Sequence, residues 1–261
     1  MLRAPCIALA LLSGALCATS HAATVTYSFR GGAMPTSWLE KDTFSQADSD
    51  GVTRSTVVWG YSDNVPGLPA APPVGQEPAK QTFESGYVRR FSIGLGACGA
   101  NEIGTNPSNL CPNTSASRVD NESSDEWLFL TFGQEVTFQS IDLTQFETRD
   151  YDVSYWVGNL DLSGTNSPLA GKTFEDDIFP DFGAGTNVLS QNMDSNLRFN
   201  LQGKGNFLLI GAHQSGGGDN RDYFYLDTLT VDYTQVPAPA SILLFGSGLL
   251  MLAGLRMRRL A

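Results

Sequence analysis

Histidine is almost missing from this chain. Two stand in 261 residues, His21 and His213, so the paired-histidine zinc motifs of hydrolases cannot be assembled. A Ser-His-Asp triad would have to use His213, and no Gly-x-Ser-x-Gly elbow accompanies it. A lone histidine just after the apolar run Phe207–Ala212 reads as structural. Positive charge is scarce as well, with 16 Lys and Arg against 27 Asp and Glu, a net of −11. Such a field repels phosphate backbones and argues against nucleic acid as a partner. Helical periodicity is also lacking: between the two ends, no stretch repeats apolar residues at 3.6 over three turns. Cysteine is sparse, at four in the whole chain.

What is present first shows at the ends. Met1-Leu2-Arg3 is a small cationic start, Cys6 to Leu16 is apolar, and Ser20-His21-Ala22 places small residues where a signal peptidase reads. Residues 1–22 read as a secretory signal helix cut between Ala22 and Ala23. The residues before Cys17 do not form a lipobox. Without the leader's arginine and the tail's three, 12 positive side chains remain against 27 negative, a net of −15. Cys98 and Cys111 survive the cut. An even pair in an exported chain reads as a disulfide, and closing that loop is worth about 3 kcal/mol in the chain-entropy model.

The body, residues 23–235, reads as all-β. Val25 to Phe29 and Tyr151 to Val157 alternate apolar and polar. Further β-branched and aromatic runs are Thr56–Tyr61, Tyr87–Leu95, Trp127–Phe132, Val136–Leu143, Leu197–Leu201, Asn206–Ala212 and Tyr223–Tyr233, most bounded by turn residues. This predicts a single β-sandwich, jelly-roll-like. Five of the 13 prolines fall in residues 65–80, which reads as a surface loop, since proline cannot donate to a ladder.

Candidate chemistry is thin. Carboxylate pairs such as Asp120 with Asp125, Asp150 with Asp152, and Asp176 with Asp177 would suit a glycosidase only at the right separation. Otherwise they are solvated acids at strand ends. Calcium is the cofactor considered. Asp48, Asp50 and Gly51 match part of an EF-hand loop, but Gln46 and Val57 stand at two ligand positions. Asp50-Gly51 is more simply a hairpin turn. Asp219, Asp222 and Asp227 gather further oxygen donors. Trp156 lies on the opposite strand face from Tyr155 and Val157. It is offered for stacking on sugar rings if only the Tyr151–Val157 face is covered.

The last 26 residues stand apart. Residues 240–255 carry no charge, and as a helix would span about 24 Å, against a hydrocarbon core of about 30 Å. Arg256, Arg258 and Arg259 follow and hold that end on the cytoplasmic side. Both ends thus place the body outside the cytoplasmic membrane, anchored by one transmembrane helix.

Pro237-Ala238-Pro239, the apolar run containing Phe245-Gly246-Ser247-Gly248-Leu249, and Gly254-Leu255-Arg256 with more arginine resemble a PEP-CTERM sorting signal, residues 236–261. Ala238 stands where the name-giving pattern has glutamate. The resemblance implies an exported protein of a Gram-negative bacterium that makes extracellular polysaccharide. It implies processing by signal peptidase and then by exosortase, a membrane-embedded protease cutting near the proline motif, which passes the body to the surface or matrix. The phrases "DTFSQADSDGVTRSTVVWGYS", "SRVDNESSDEWLFLTFGQEVTFQSIDLTQFETRDYDVSYWVG" and "DYFYLDTLTV" resemble β-rich exosortase-dependent surface proteins. The expectation is a non-enzymatic surface protein associated with extracellular polysaccharide. The alternatives are a carbohydrate-binding module using calcium, and a glycan-acting enzyme with a carboxylate pair.

Overall fold

Every second residue of Ala22–Ser28 is buried, and this run forms strand β1. In the computed structural model, residues 22–31, 38–63, 82–99, 118–120, 125–144, 152–163, 166–182, 185–188, 197–212 and 222–234 are described. The body forms a compact unit, Ala22–Thr234. The leader up to His21, the Pro-rich segment 65–80 and the sorting tail lie outside the described residues, while Ala22, read as the leader's last residue, opens β1. Among those described, no helix is long and apolar enough to cross a membrane.

Strands β2 (Lys41–Ala47) and β3 (Thr53–Asp63) make a hairpin. Its turn is the one Asp50-Gly51 predicts. The Gly51 N–H donates to the Asp48 carbonyl at 3.0 Å, and Gly51 sits at φ 78°, where a side chain would be strained. The short β4 (Phe83–Ser85) continues beside β3. The run Tyr87–Leu95, read as one strand, divides into the hairpin β5 (Tyr87–Phe91) and β6 (Gly94–Cys98). After β7 (Val119–Asp120) comes β8 (Glu126–Thr144), 19 residues long. Two predicted strands are thus one, passing through the exposed Gly133-Gln134-Glu135. The remaining strands are β9 (Val153–Gly158), β10 (Thr186–Val188), β11 (Leu197–Asn200), β12 (Lys204–Ala212) and β13 (Tyr223–Thr234). A π-helical turn (Phe174–Ile178) and the one-turn helix α1 (Phe179–Phe182) lie between β9 and β10.

All pairings between these strands are antiparallel, and β8 belongs to two layers. Its first half pairs with β12 and β3, giving the order β10-β9-β12-β8-β3-β2. Its second half pairs with β13 and β11, giving β11-β8-β13-β1, with β6 and β7 also on β13. Leu128, Leu130 and Ile210 of the first layer share one buried cluster with Val25, Ile141 and Val231 of the second. This is the two-sheet core of an all-β sandwich.

The first layer is buried on its other face too. Trp59, Trp127, Phe129, Trp156 and Phe207 form a second cluster there, against which the chain after β9 lays Leu160, Leu162, Leu169 and Ile178. That cover is pinned to the sheet. The Phe83 N–H donates to the Lys172 carbonyl at 2.9 Å, and the Leu169 N–H donates to the Tyr61 hydroxyl at 3.2 Å.

Candidate functional site

The outer face of the second layer carries polar side chains in place of that aromatic cluster. Antiparallel alternation sends Val25, Tyr27, Leu229 and Val231 inward and leaves Thr24, Thr26, Thr230 and Asp232 outside. Two β-bulges modify this face. The register of β13 on β8 slips between Thr230 and Val231, leaving Gln139 as the extra residue of β8. It slips again between Leu226 and Thr228, leaving Asp227 as the extra residue of β13. Bulges re-aim side chains, and Gln139 is turned to donate from its amide to Asp232 at 2.6 Å. Its carbonyl accepts the Leu201 N–H at 3.0 Å, which fixes the chain leaving β11.

A shallow trough of about 510 Å³ results. β1 contributes Thr24, β13 Thr230 and Asp232, β8 Gln139 and Ser140, and β11 Arg198 and Asn200. Its polar groups hold each other in place. The Thr24 hydroxyl donates to the other Asp232 oxygen at 2.6 Å, and the Thr26 and Thr230 hydroxyls share a bond at 3.0 Å. Just beyond, the Thr228 hydroxyl donates to Asp142 at 2.6 Å. Arg198 reaches Ser140 at 3.3 Å and Asp142 at 3.5 Å, and its side chain remains 68% exposed. No single motif encodes this site. Its partners lie up to 208 positions apart, and only the Thr-x-Thr spacing of residues 24–26 and 228–230 hints at it.

The residues singled out by sequence fall elsewhere. Trp156 does take the opposite face from Tyr155, but that face is covered as well. It is 6% exposed, packed 5.6 Å from Trp127 centroid to centroid, so it presents no ring to solvent. Asp120, Asp125 and Asp152 do lie beside strand ends, yet they are not solvated. Their exposures are 2%, 1% and 7%, and the adjacent Glu126 is fully buried. Glu126 accepts the Asp120 N–H at 3.1 Å, and Asp222 accepts the Asp152 N–H at 3.4 Å. Of the third pair, Asp176 is exposed while Asp177, inside the π-helical turn, reaches back to accept the Thr173 N–H at 2.8 Å. Asp150 and His213 lie outside the described residues.

The calcium candidates are not brought together. Asp48 and Asp50 sit near the start of β1, where Ser49 donates to the Thr24 carbonyl at 3.2 Å. Asp222 precedes the far end of β13. The Asp48 carboxylate accepts the N–H groups of Asp50 and Val52 at 2.9 and 2.8 Å and pairs with Arg54 at 2.9 Å. Burial pushes its pKa up, and these donors outweigh burial and hold it below the ordinary Asp value. Asp227 takes a two-pronged guanidinium from Arg30. Asp219 lies outside the described residues. Among the described residues, no three His, Cys, Asp or Glu are grouped to hold a metal ion. Cys98 is fully buried at the end of β6, and Cys111 lies outside the described residues.

Beside the Asp48 turn is a buried phenol pair. The Tyr27 and Tyr233 hydroxyls lie 2.6 Å apart, and Arg54 stands 4.9 Å over the Tyr233 ring. Burial pushes both phenol pKa values up.

No protein-family model and no curated protein matches this sequence. Among solved structures, the chain is similar to the C-terminal domain of a chitobiase from Bacteroides fragilis, at 10% identity over 56% of this chain and 86% of that one, with a TM-score of 0.30. It is also similar to a cleaved adhesin domain of Lys-gingipain from Porphyromonas gingivalis, at 11% identity over 82% and 99%, with a TM-score of 0.27. Likenesses this slight carry nothing about what the chain binds.

Proposed function

We propose that this chain is an exported surface protein whose β-sandwich body is displayed outside the cytoplasmic membrane and associates with extracellular polysaccharide. One observation carries the reading. The compact unit runs from Ala22 to Thr234, and those limits fall within a residue of where the leader and the sorting tail meet the body in the sequence. Both apolar segments can therefore be removed at the cost of one pairing in β1, that of Ala22 with Thr234. Signal peptidase acts between Ala22 and Ala23, and exosortase near Pro237-Ala238-Pro239, with Arg256, Arg258 and Arg259 holding the tail until then. A Cys98–Cys111 disulfide forms after export, where the compartment is oxidising.

The test is fractionation of cells with and without exosortase, with mass spectrometry of the mature ends. The expected result is a start at Ala23 and a tail lost near residue 238 in the surface fraction. Recovery of the intact tail in the cytoplasmic membrane of exosortase-positive cells would overturn the processing step. A body retained in the cytoplasm would overturn the whole reading.

A further inference from the structure

We infer that the trough on the outer face of β11-β8-β13-β1 binds a neutral, hydroxyl-rich polysaccharide chain lying across the strands. This rests on the polysaccharide association proposed above and assigns it a place and a ligand class.

The two outer faces of the sandwich are treated differently. One is sealed by the chain after β9 over Trp127 and Trp156, while among the described residues the other is left as an open polar trough. Its four strands give three spacings of about 4.8 Å, a span of about 14 Å and long enough for a short oligosaccharide. The polar groups are already oriented. Each Asp232 oxygen accepts one bond, from Thr24 or from Gln139. A carboxylate has about four acceptor sites, so further lone pairs are open to a ligand. On the opposite side stand donors. Arg198 is held only by long bonds, and Asn200 makes no side-chain hydrogen bond to another described residue. A row with acceptors at one end, donors at the other and the Ser140 and Thr230 hydroxyls between them matches sugar hydroxyls, each of which both donates and accepts.

Charge selects within that class. Among the described residues, the trough and its edge carry the carboxylates of Asp232 and Asp142 against the guanidinium of Arg198, on a chain of net −11. An acidic polymer is repelled at long range and meets two carboxylates on arrival. A neutral polymer meets no such barrier. Among the described residues the trough lining includes no aromatic ring, so the site relies on hydrogen bonds made in competition with water. Single short oligosaccharides therefore bind weakly, and retention on a polymer comes from repeated engagement.

The test uses the full chain in a non-ionic detergent, passed over beads carrying dextran or galactomannan, both neutral, and alginate, which is acidic. Retention on a neutral polymer and not on alginate is expected. Asp232→Ala and Asn200→Ala should each weaken it by about tenfold or more, Asn200→Ala with unchanged melting, while Ser45→Ala on the other layer leaves it intact. Asn200 is exposed, so its loss does not threaten the fold. Equal or stronger binding to alginate would overturn the ligand class. Neutral binding untouched by both trough variants would overturn the site and leave the proposed association standing. Binding to none of the three polymers would remove the association and this site together.

Discussion

Ala22 and Thr234 face each other across an antiparallel ladder, the first residue of β1 against the last of β13. The body thus begins and ends side by side, with Ala23 opposite Tyr233 and 0% exposed. Antiparallel partners lie about 5 Å apart, so a short linker can join these ends. A circular permutant that links them and opens within residues 65–80 is expected to keep its β-sheet circular dichroism and melt within a few degrees of the body with its native ends. A molten or aggregated permutant would show that β1 is not where the register places it.

Trp156→Ala should lower unfolding free energy by about 3–5 kcal/mol, as truncation of a buried large aromatic does. Urea unfolding measures it. A ring held out for sugar stacking would cost almost nothing on truncation, so this variant separates the two placements directly.

Gly205 lies where a Cβ would collide with the Gly158 carbonyl, backbone against backbone, while Gly133 at the bend of β8 has open space around it. Gly205→Ala is therefore expected to destabilise by about 1–3 kcal/mol or more. Gly133→Ala should stay within about 0.5 kcal/mol, as surface changes do. Equal losses at the two positions would contradict the close approach of β9 to β12.

Stability should depend on pH at both extremes. Tyr27 and Tyr233 have folded pKa values raised above the ordinary 10.0. Their contribution is complete below pH 10.0 and is lost as pH rises from there toward the folded values, because the unfolded chain releases those protons first. Asp48 is shifted the other way, below 3.8. Its contribution is present above pH 3.8 and disappears as pH falls through the depressed folded value. Melting from pH 2 to 11 tests both. Tyr27→Phe should flatten the alkaline limb and Asp48→Asn the acid one. Unchanged limbs in both variants would mean that other groups control them.

The parts of the fold legible in the sequence are those set by local pattern. Val25–Phe29 alternates and marks the second half of β1, and Asp50-Gly51 turns because only glycine is at ease at that φ. β2 was illegible because Asp42-Thr43-Phe44-Ser45-Gln46-Ala47 has Phe44 as its one large apolar residue. Pairing with β3, not patterning, makes it a strand. β8 reads as two strands because Gly133-Gln134-Glu135 looks like a turn, whereas it carries the chain from one layer to the other. Trp156 shows the limit of alternation. Period two says which face a side chain takes, but not whether something distant covers that face. The trough was out of reach for the same reason. Gln139 points into it because of a bulge, and Thr24 meets Asp232 only after the first and last strands pair.

The place of β13 between β1 and β8 also has a mechanical consequence. A tether leaving Thr234, resisted by a polymer gripped at Asp232 and Thr230, would load the strand along its own axis. The force would then pass through the backbone between Thr230 and Thr234, while the ladders to β1 and β8 hold that strand in place and carry little of it. A body loaded this way would keep its sheets together while polymer and tether pull against each other.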